Sequence, residues 1–235
     1  MNLMKHVPNF ITCLNLFAGC LACVTVLAHH NQEGAFIFIV LAAVFDFFDG
    51  FAARLLKAYS SIGAELDSLA DVVSFGVAPG FMVYTYLDSY QSGYLPLLAL
   101  LLPVFAALRL AKFNVDTRQT TSFWGLPVPA CALYWASMIL TLHYFSPSFS
   151  MVTMVCIVVL LIIFCLLMVS EIPMLSLKFK NVEWKDNRWA FSIIIISVIL
   201  IAWCSVDSKP YLGVCLSIIV YIFLSLAHNI LAKKK

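Results

Sequence analysis

Four aspartates, Asp46, Asp49, Asp67 and Asp71, fall within the stretch VFDFFDGFAARLLKAYSSIGAELDSLADVVSFG, residues 44–76 of a 235-residue chain. Each would cost about 2.5–3.5 kcal/mol at the centre of a membrane helix, so acids in such apolar surroundings demand compensation. A helix turns about 100° per residue, which puts Asp67 and Asp71, four apart, on one face with Gly63 a turn before them. Asp46 and Asp49, three apart, share a face with Gly50 and Ala53. Packed as an antiparallel pair, the two helices would bring the four carboxylates into one volume, where their repulsion calls for cations. A donor set of oxygens alone, without His or Cys, suits hard divalent ions such as Mg2+ or Mn2+. The competing reading is a salt-bridge net with Arg54, Lys57, Arg109 or Lys112.

Small residues interleave with these acids. Gly50, Ala53 and Gly63 would clear a surface against which a ligand can lie flat, and Arg54 offers a fork suited to phosphate. Close helix packing explains small residues equally well, but the acids and arginine beside them favour a nucleotide diphosphate bridged by metal ions. Asn9, Thr12 and Asn15 recur three apart on one face entering the first helix, where they could meet the nucleotide or simply cap and cross-link helices.

The elements that must position these residues are membrane spans. The chain is 63% hydrophobic and 11% charged, with a mean hydropathy of +0.99, against about half apolar and a quarter charged in soluble domains. Runs near the length of about 20 residues that crosses a bilayer recur at roughly 10–29, 35–57, 66–87, 93–113, 127–145, 150–169, 189–206 and 210–231. The expected fold is therefore all-α, a polytopic membrane helical bundle. With the N-terminus inside, every one of the 14 lysines and arginines except Lys209 falls on the cytoplasmic side. That partition supports an even number of spans, cytoplasmic termini and a cytoplasmic aspartate cluster. The first span is too long for a signal-peptide core and lacks a small-x-small cleavage site. Composition gives no basic stripe for nucleic acid, and the terminal Lys233 to Lys235 could touch anionic lipid. The eight cysteines all fall in spans, where they read as small packing residues. His29, His30 and Glu33 read as a wet loop rather than a metal site.

The pattern Asp46-x-x-Asp49-Gly50-x-x-Ala53-Arg54, eight residues, then Gly63-x-x-x-Asp67-x-x-x-Asp71 resembles the full signature of the CDP-alcohol phosphatidyltransferases. The resemblance implies a homodimeric membrane enzyme with a six-helix catalytic core. It implies two divalent ions held by Asp46, Asp49, Asp67 and Asp71, cytidine diphosphate against Gly50, Ala53 and Gly63, and Asp71 as the general base that activates an acceptor hydroxyl. VPNFITCLNLFAG (7–19), LDSLADVVSFGVAP (66–79), RLAKFNV (109–115) and FWGLPVPA (123–130) resemble the bacterial and archaeal branch that uses serine, with Lys112 where Arg is more usual. A sibling branch making phosphatidylglycerol phosphate reads D-P-x-A-D-K in the third helix. Ser68 and Val72 here replace its Pro and Lys, which argues against a phosphorylated acceptor.

The expected reaction is CDP-diacylglycerol plus L-serine giving phosphatidylserine and CMP at the inner face of the cell membrane, with glycerol 3-phosphate or inositol as alternative acceptors. Nucleotide contacts are expected from Gly50, Ala53, Arg54, Gly63, Asn9 and Thr12, and acceptor contacts from Arg109, Lys112, Asn114 and Ser68, with Ser74 and Arg118 as weaker candidates. The expected organisation is a catalytic core over 1–170, a cytoplasmic loop over 171–188, and a helix pair with a basic tail over 189–235. A cation transporter would also place acids in the membrane, but the later spans offer almost no polar residues to continue a path. A catalytically silent scaffold of the same fold is the third reading.

Overall fold

A computed structural model describes residues 6–90, 93–116, 123–145, 150–175 and 184–232. Arg118 and Lys233 to Lys235 lie outside the described residues. Nine α-helices appear among them: α1 (Val7–His29), α2 (Gln32–Leu55), α3 (Ser61–Asp71), α4 (Ala78–Asp88), α5 (Leu101–Val115), α6 (Val128–Phe145), α7 (Met151–Val169), α8 (Trp184–Val206) and α9 (Pro210–Ala232). A π-helical segment, Val72–Val77, joins α3 to α4, and a 3-10 turn, Leu95–Leu100, leads into α5. Joined in this way they make eight helices long and apolar enough to cross a membrane.

Local chemistry explains the boundaries nearest the aspartates. After α1 ends, His30 takes a left-handed turn at φ 50°, and Asn31 caps α2 by accepting from Gly34 N at 2.8 Å. Ser60 caps α3 through Gly63 N at 3.0 Å, the expected use of a short oxygen side chain at a helix start. That cap sets the third span at Ser61–Asp88, five residues before the 66 at which hydropathy alone begins it. The polar turn SIGAE reads as loop by hydropathy but continues the helix once capped. Between α2 and α3, Lys57 sits at φ 49° and Ala58 N bonds to Ala53 O at 3.0 Å. The α2–α3 hairpin therefore closes over Leu56 to Ser60 alone.

The interior is built around α6. Trp135 is fully buried, Tyr134 stacks on Phe164 of α7 with ring centroids 4.1 Å apart, and Trp135 meets the same ring edge-on. Large apolar side chains on the outer faces, such as Phe17, Phe47, Val198 and Trp203, are exposed, as a lipid-facing surface requires. The helix α1 packs on α2, α3, the π segment and α4, while α9 packs on α8 and α6.

Two features depart from the expected layout. The segment taken as a cytoplasmic loop, 171–188, contains a short strand, β2 (Pro173–Met174), that pairs antiparallel with β1 (Phe123–Trp124), and its last residues already belong to α8. The 3-10 turn at Leu95 starts the fourth span slightly later than hydropathy places it.

Candidate active site

The α2–α3 hairpin delivers three of the acids to one point. One carboxylate oxygen from each of Asp46, Asp49 and Asp67 lies within 4.8 Å of the others. Asp49 is buried, and Thr12 Oγ1 of α1 stands 2.7 Å from its Oδ2 and 3.1 Å from Pro8 O. The hydroxyl has one proton, and the shorter, charge-assisted bond to the carboxylate is the stronger of the two. Asp67 Oδ1 is buried with no hydrogen-bond partner. A carboxylate oxygen shut away from water without a donor is expensive, and a divalent ion would satisfy it. Asp46, Asp49 and Asp67 therefore fit a hard cation on the chemistry of their donors as well as on their spacing.

Asp71 stands apart from that triad but within electrostatic range of Asp46, Asp49 and Asp67. Its Oδ1 accepts from Asn15 Nδ2 at 3.2 Å, and both residues are buried. Asn15 is itself held by Ser74 Oγ, which donates to its carbonyl at 3.0 Å. Ser74 lies in the π segment, whose wider turn follows Asp71 directly; such interruptions recur at functional sites. Here the segment is gripped on two sides. A Cβ at Gly19 would meet Ser74 Cα at 2.7 Å, and one at Gly76 would meet Pro103 Cα at 3.0 Å.

A cavity of about 200 Å³ opens beside the acids, lined by Asn9, Thr12, Asp49, Gly50, Ala53, Gly63 and Asp67 together with Pro8, Ala58, Tyr59, Ser60 and Ala64. Every position expected to meet the nucleotide except Arg54 lies on this wall. Arg54 is exposed on the last turn of α2, its Nη1 3.9 Å from where a Gly50 Cβ would stand. Nothing else comes near that point, so Gly50 is not small to let a helix approach. Gly63 differs: a Cβ there would lie 2.9 Å from Asn9 Oδ1 and Ser60 Oγ. Tyr59, an exposed ring at the cavity rim, escaped the sequence reading; an aromatic residue isolated in the polar turn KAYSS was the available signal.

The acceptor candidates separate. Arg109 of α5 is buried, lies over the Phe113 ring at 5.1 Å, and faces Asp71 within electrostatic range. Ser68 of α3 accepts from Asn114 Nδ2 at 2.9 Å, tying α3 to α5. Lys112 points elsewhere: its Nζ is 3.5 Å from Glu171 and donates to Val169 O at 3.3 Å.

A sequence model of CDP-alcohol phosphatidyltransferases matches residues 5–222, nearly the whole chain. The chain belongs to the CDP-alcohol phosphatidyltransferase family. Among curated relatives of this phosphatidyltransferase, it is similar to the CDP-diacylglycerol–serine O-phosphatidyltransferase of Bacillus subtilis, 42% identical over 127 residues that cover 54% of this chain and 71% of the relative. It is 31% identical over 200 residues to the Helicobacter pylori protein of the same name, covering 83% of this chain and 81% of that one. A Mycobacterium leprae protein, again so named, is 32% identical over 228 residues, covering 93% and 73%. The motif over Asp46 to Asp71 supplies the acid triad, Asp71 and part of the cavity wall.

Proposed function

We propose that this phosphatidyltransferase transfers the phosphatidyl group of CDP-diacylglycerol to L-serine, giving phosphatidylserine and CMP, at the cytoplasmic face of the cell membrane and as a homodimer. The observation that carries the reading is the convergence of Asp46, Asp49 and Asp67 beside a cavity walled by Gly50, Ala53 and Gly63, with a buried fourth acid, Asp71, next to it. The names borne by its relatives favour serine over other alcohols.

Each group has a role in that reaction. Asp46, Asp49 and Asp67, with Asp71 on their flank, would hold two Mg2+ or Mn2+ ions. Such ions neutralise the pyrophosphate and the leaving CMP, the main requirement of phosphoryl-type transfer. Gly50 leaves room for the nucleotide to lie against α2, Asn9 and Thr12 border it from α1, and Arg54 offers its fork to phosphate from the rim. Asp71 accepts the proton of the serine hydroxyl as that oxygen bonds to the diacylglycerol-bearing phosphorus and the bond to the CMP oxygen breaks. Asn15 turns one Asp71 oxygen away and leaves the other for the acceptor. Arg109, buried and within electrostatic range of Asp71, would receive the serine carboxylate, with Ser68 and Asn114 at the margin. No covalent lipid–protein intermediate is required.

The purified chain in mixed micelles should release CMP from CDP-diacylglycerol when L-serine and Mg2+ or Mn2+ are present, and chelation should stop it. Parallel assays with glycerol 3-phosphate and inositol decide the acceptor. Faster release with either than with serine would overturn the serine assignment.

A further inference from the structure

The last helix pair lies outside the aspartate motif, yet polar groups of α9 hold a segment of backbone that also contacts α5, the helix that carries Arg109. After α7 the chain runs through Ser170 to Leu175 as non-helical backbone, half-buried apart from the exposed Glu171 and the buried Met174. Backbone polar groups shut away from water need partners. Here α9 supplies the partners from three successive turns of one face: Tyr221 Oη donates to Leu175 O at 3.0 Å, Ser225 Oγ accepts from Leu175 N at 3.2 Å, and Asn229 Nδ2 donates to Pro173 O. From the other side Gly125 N donates to Ile172 O at 2.9 Å and Lys112 Nζ to Val169 O. The buried Tyr221 also lies within electrostatic reach of Arg109, which in turn faces Asp71.

We propose that Tyr221 is a positioning residue for the acceptor side of the site: it ties the 170–175 strap to α9, and the strap in turn seats α5, the helix that carries Arg109. Lys112, one turn further along α5 than Arg109, donates to Val169 O where α7 leads into the strap and stands 3.5 Å from Glu171 within it, joining the strap to that helix. On this view α9 is part of the catalytic unit. The reading rests on the proposed acceptor chemistry, but its structural half can be measured without any acceptor.

The experiment compares Tyr221→Phe, Asn229→Ala and Tyr211→Phe in the full chain. Tyr211→Phe breaks a bond from α9 to Glu33 (3.1 Å) at the opposite end of the same helix and serves as the control for general loosening of α9. Tyr221→Phe should raise KM for serine by about 5-fold, the scale of one lost hydrogen bond, with KM for CDP-diacylglycerol unchanged. Tyr221→Phe and Asn229→Ala should also speed hydrogen exchange of segment 170–175, and Tyr211→Phe should do neither. Unchanged exchange in both strap variants, or faster exchange with an unchanged serine KM, overturns the proposal, as does an equal effect from Tyr211→Phe. If the unsubstituted chain proves to use another alcohol, the serine assignment fails by itself, and the KM series with that alcohol decides the role of Tyr221.

Discussion

At the scale of single residues, the site separates groups that do chemistry from groups that aim them. Asp71→Asn keeps the shape and the Asn15 contact but removes the proposed proton acceptor. CMP release should fall by about 10²–10⁴-fold with helicity and elution volume unchanged; retained turnover would remove Asp71 as the base. Thr12→Val removes the hydroxyl that orients Asp49. Partners of metal-binding carboxylates are commonly worth about 10–100-fold in ion affinity, and a Mn2+ activation curve should shift to higher concentration by that factor. The glycines divide in an informative way. Gly50→Ala puts a methyl group into open space and gains about 0.5–1 kcal/mol of helix stability. The melting temperature should hold or rise while KM for CDP-diacylglycerol climbs. Gly19→Ala drives its methyl into the Ser74 backbone and should destabilise the fold, lowering the melting temperature in detergent.

At the scale of elements, the α2–α3 hairpin is the part most readable from sequence. Its spacing puts the acids on facing stripes, and the Ser60 cap and left-handed Lys57 close the turn. The π segment was not readable. VVSFGV carries no signal for a widened turn, which is held by α1 through Ser74 and by α5 at Gly76. The strap was hidden for the same reason, since its strand partner and its α9 partners lie about 50 residues away in either direction. Polar residues of α9 read in isolation as exceptions in an apolar span; they are ligands for a distant backbone. Lys112, expected near the acceptor, is half-exposed and paired with an exposed Glu171, a contact worth about 0–1 kcal/mol. Glu171→Ala should therefore change the melting temperature by little, and its effect should vanish in high salt.

At the scale of the whole molecule, the acids make folding and ion binding one problem. Ions bound to the native site stabilise it by mass action, about 2.7 kcal/mol at 100 times the dissociation constant. Mg2+ or Mn2+ should raise the melting temperature of the wild-type chain and leave Asp49→Asn nearly unmoved, a thermal-shift measurement independent of turnover. Sidedness is testable in cells. Ser208→Cys should react with a membrane-impermeant maleimide from outside, and Lys57→Cys only after permeabilisation; the reverse labelling would invert the bundle. Hydropathy, the asymmetry of basic residues and the spacing of eight motif positions are local quantities, so the sequence by itself determined eight membrane-crossing helices, the family and the acid cluster. Which Asp71 oxygen Asn15 holds, why Gly50 faces a void while Gly19 faces a backbone, and how α9 holds the 170–175 strap depend on groups far apart in the chain. Only tertiary packing decided these, because the energy of an aimed carboxylate or a satisfied buried carbonyl resides in its partner rather than in its own segment.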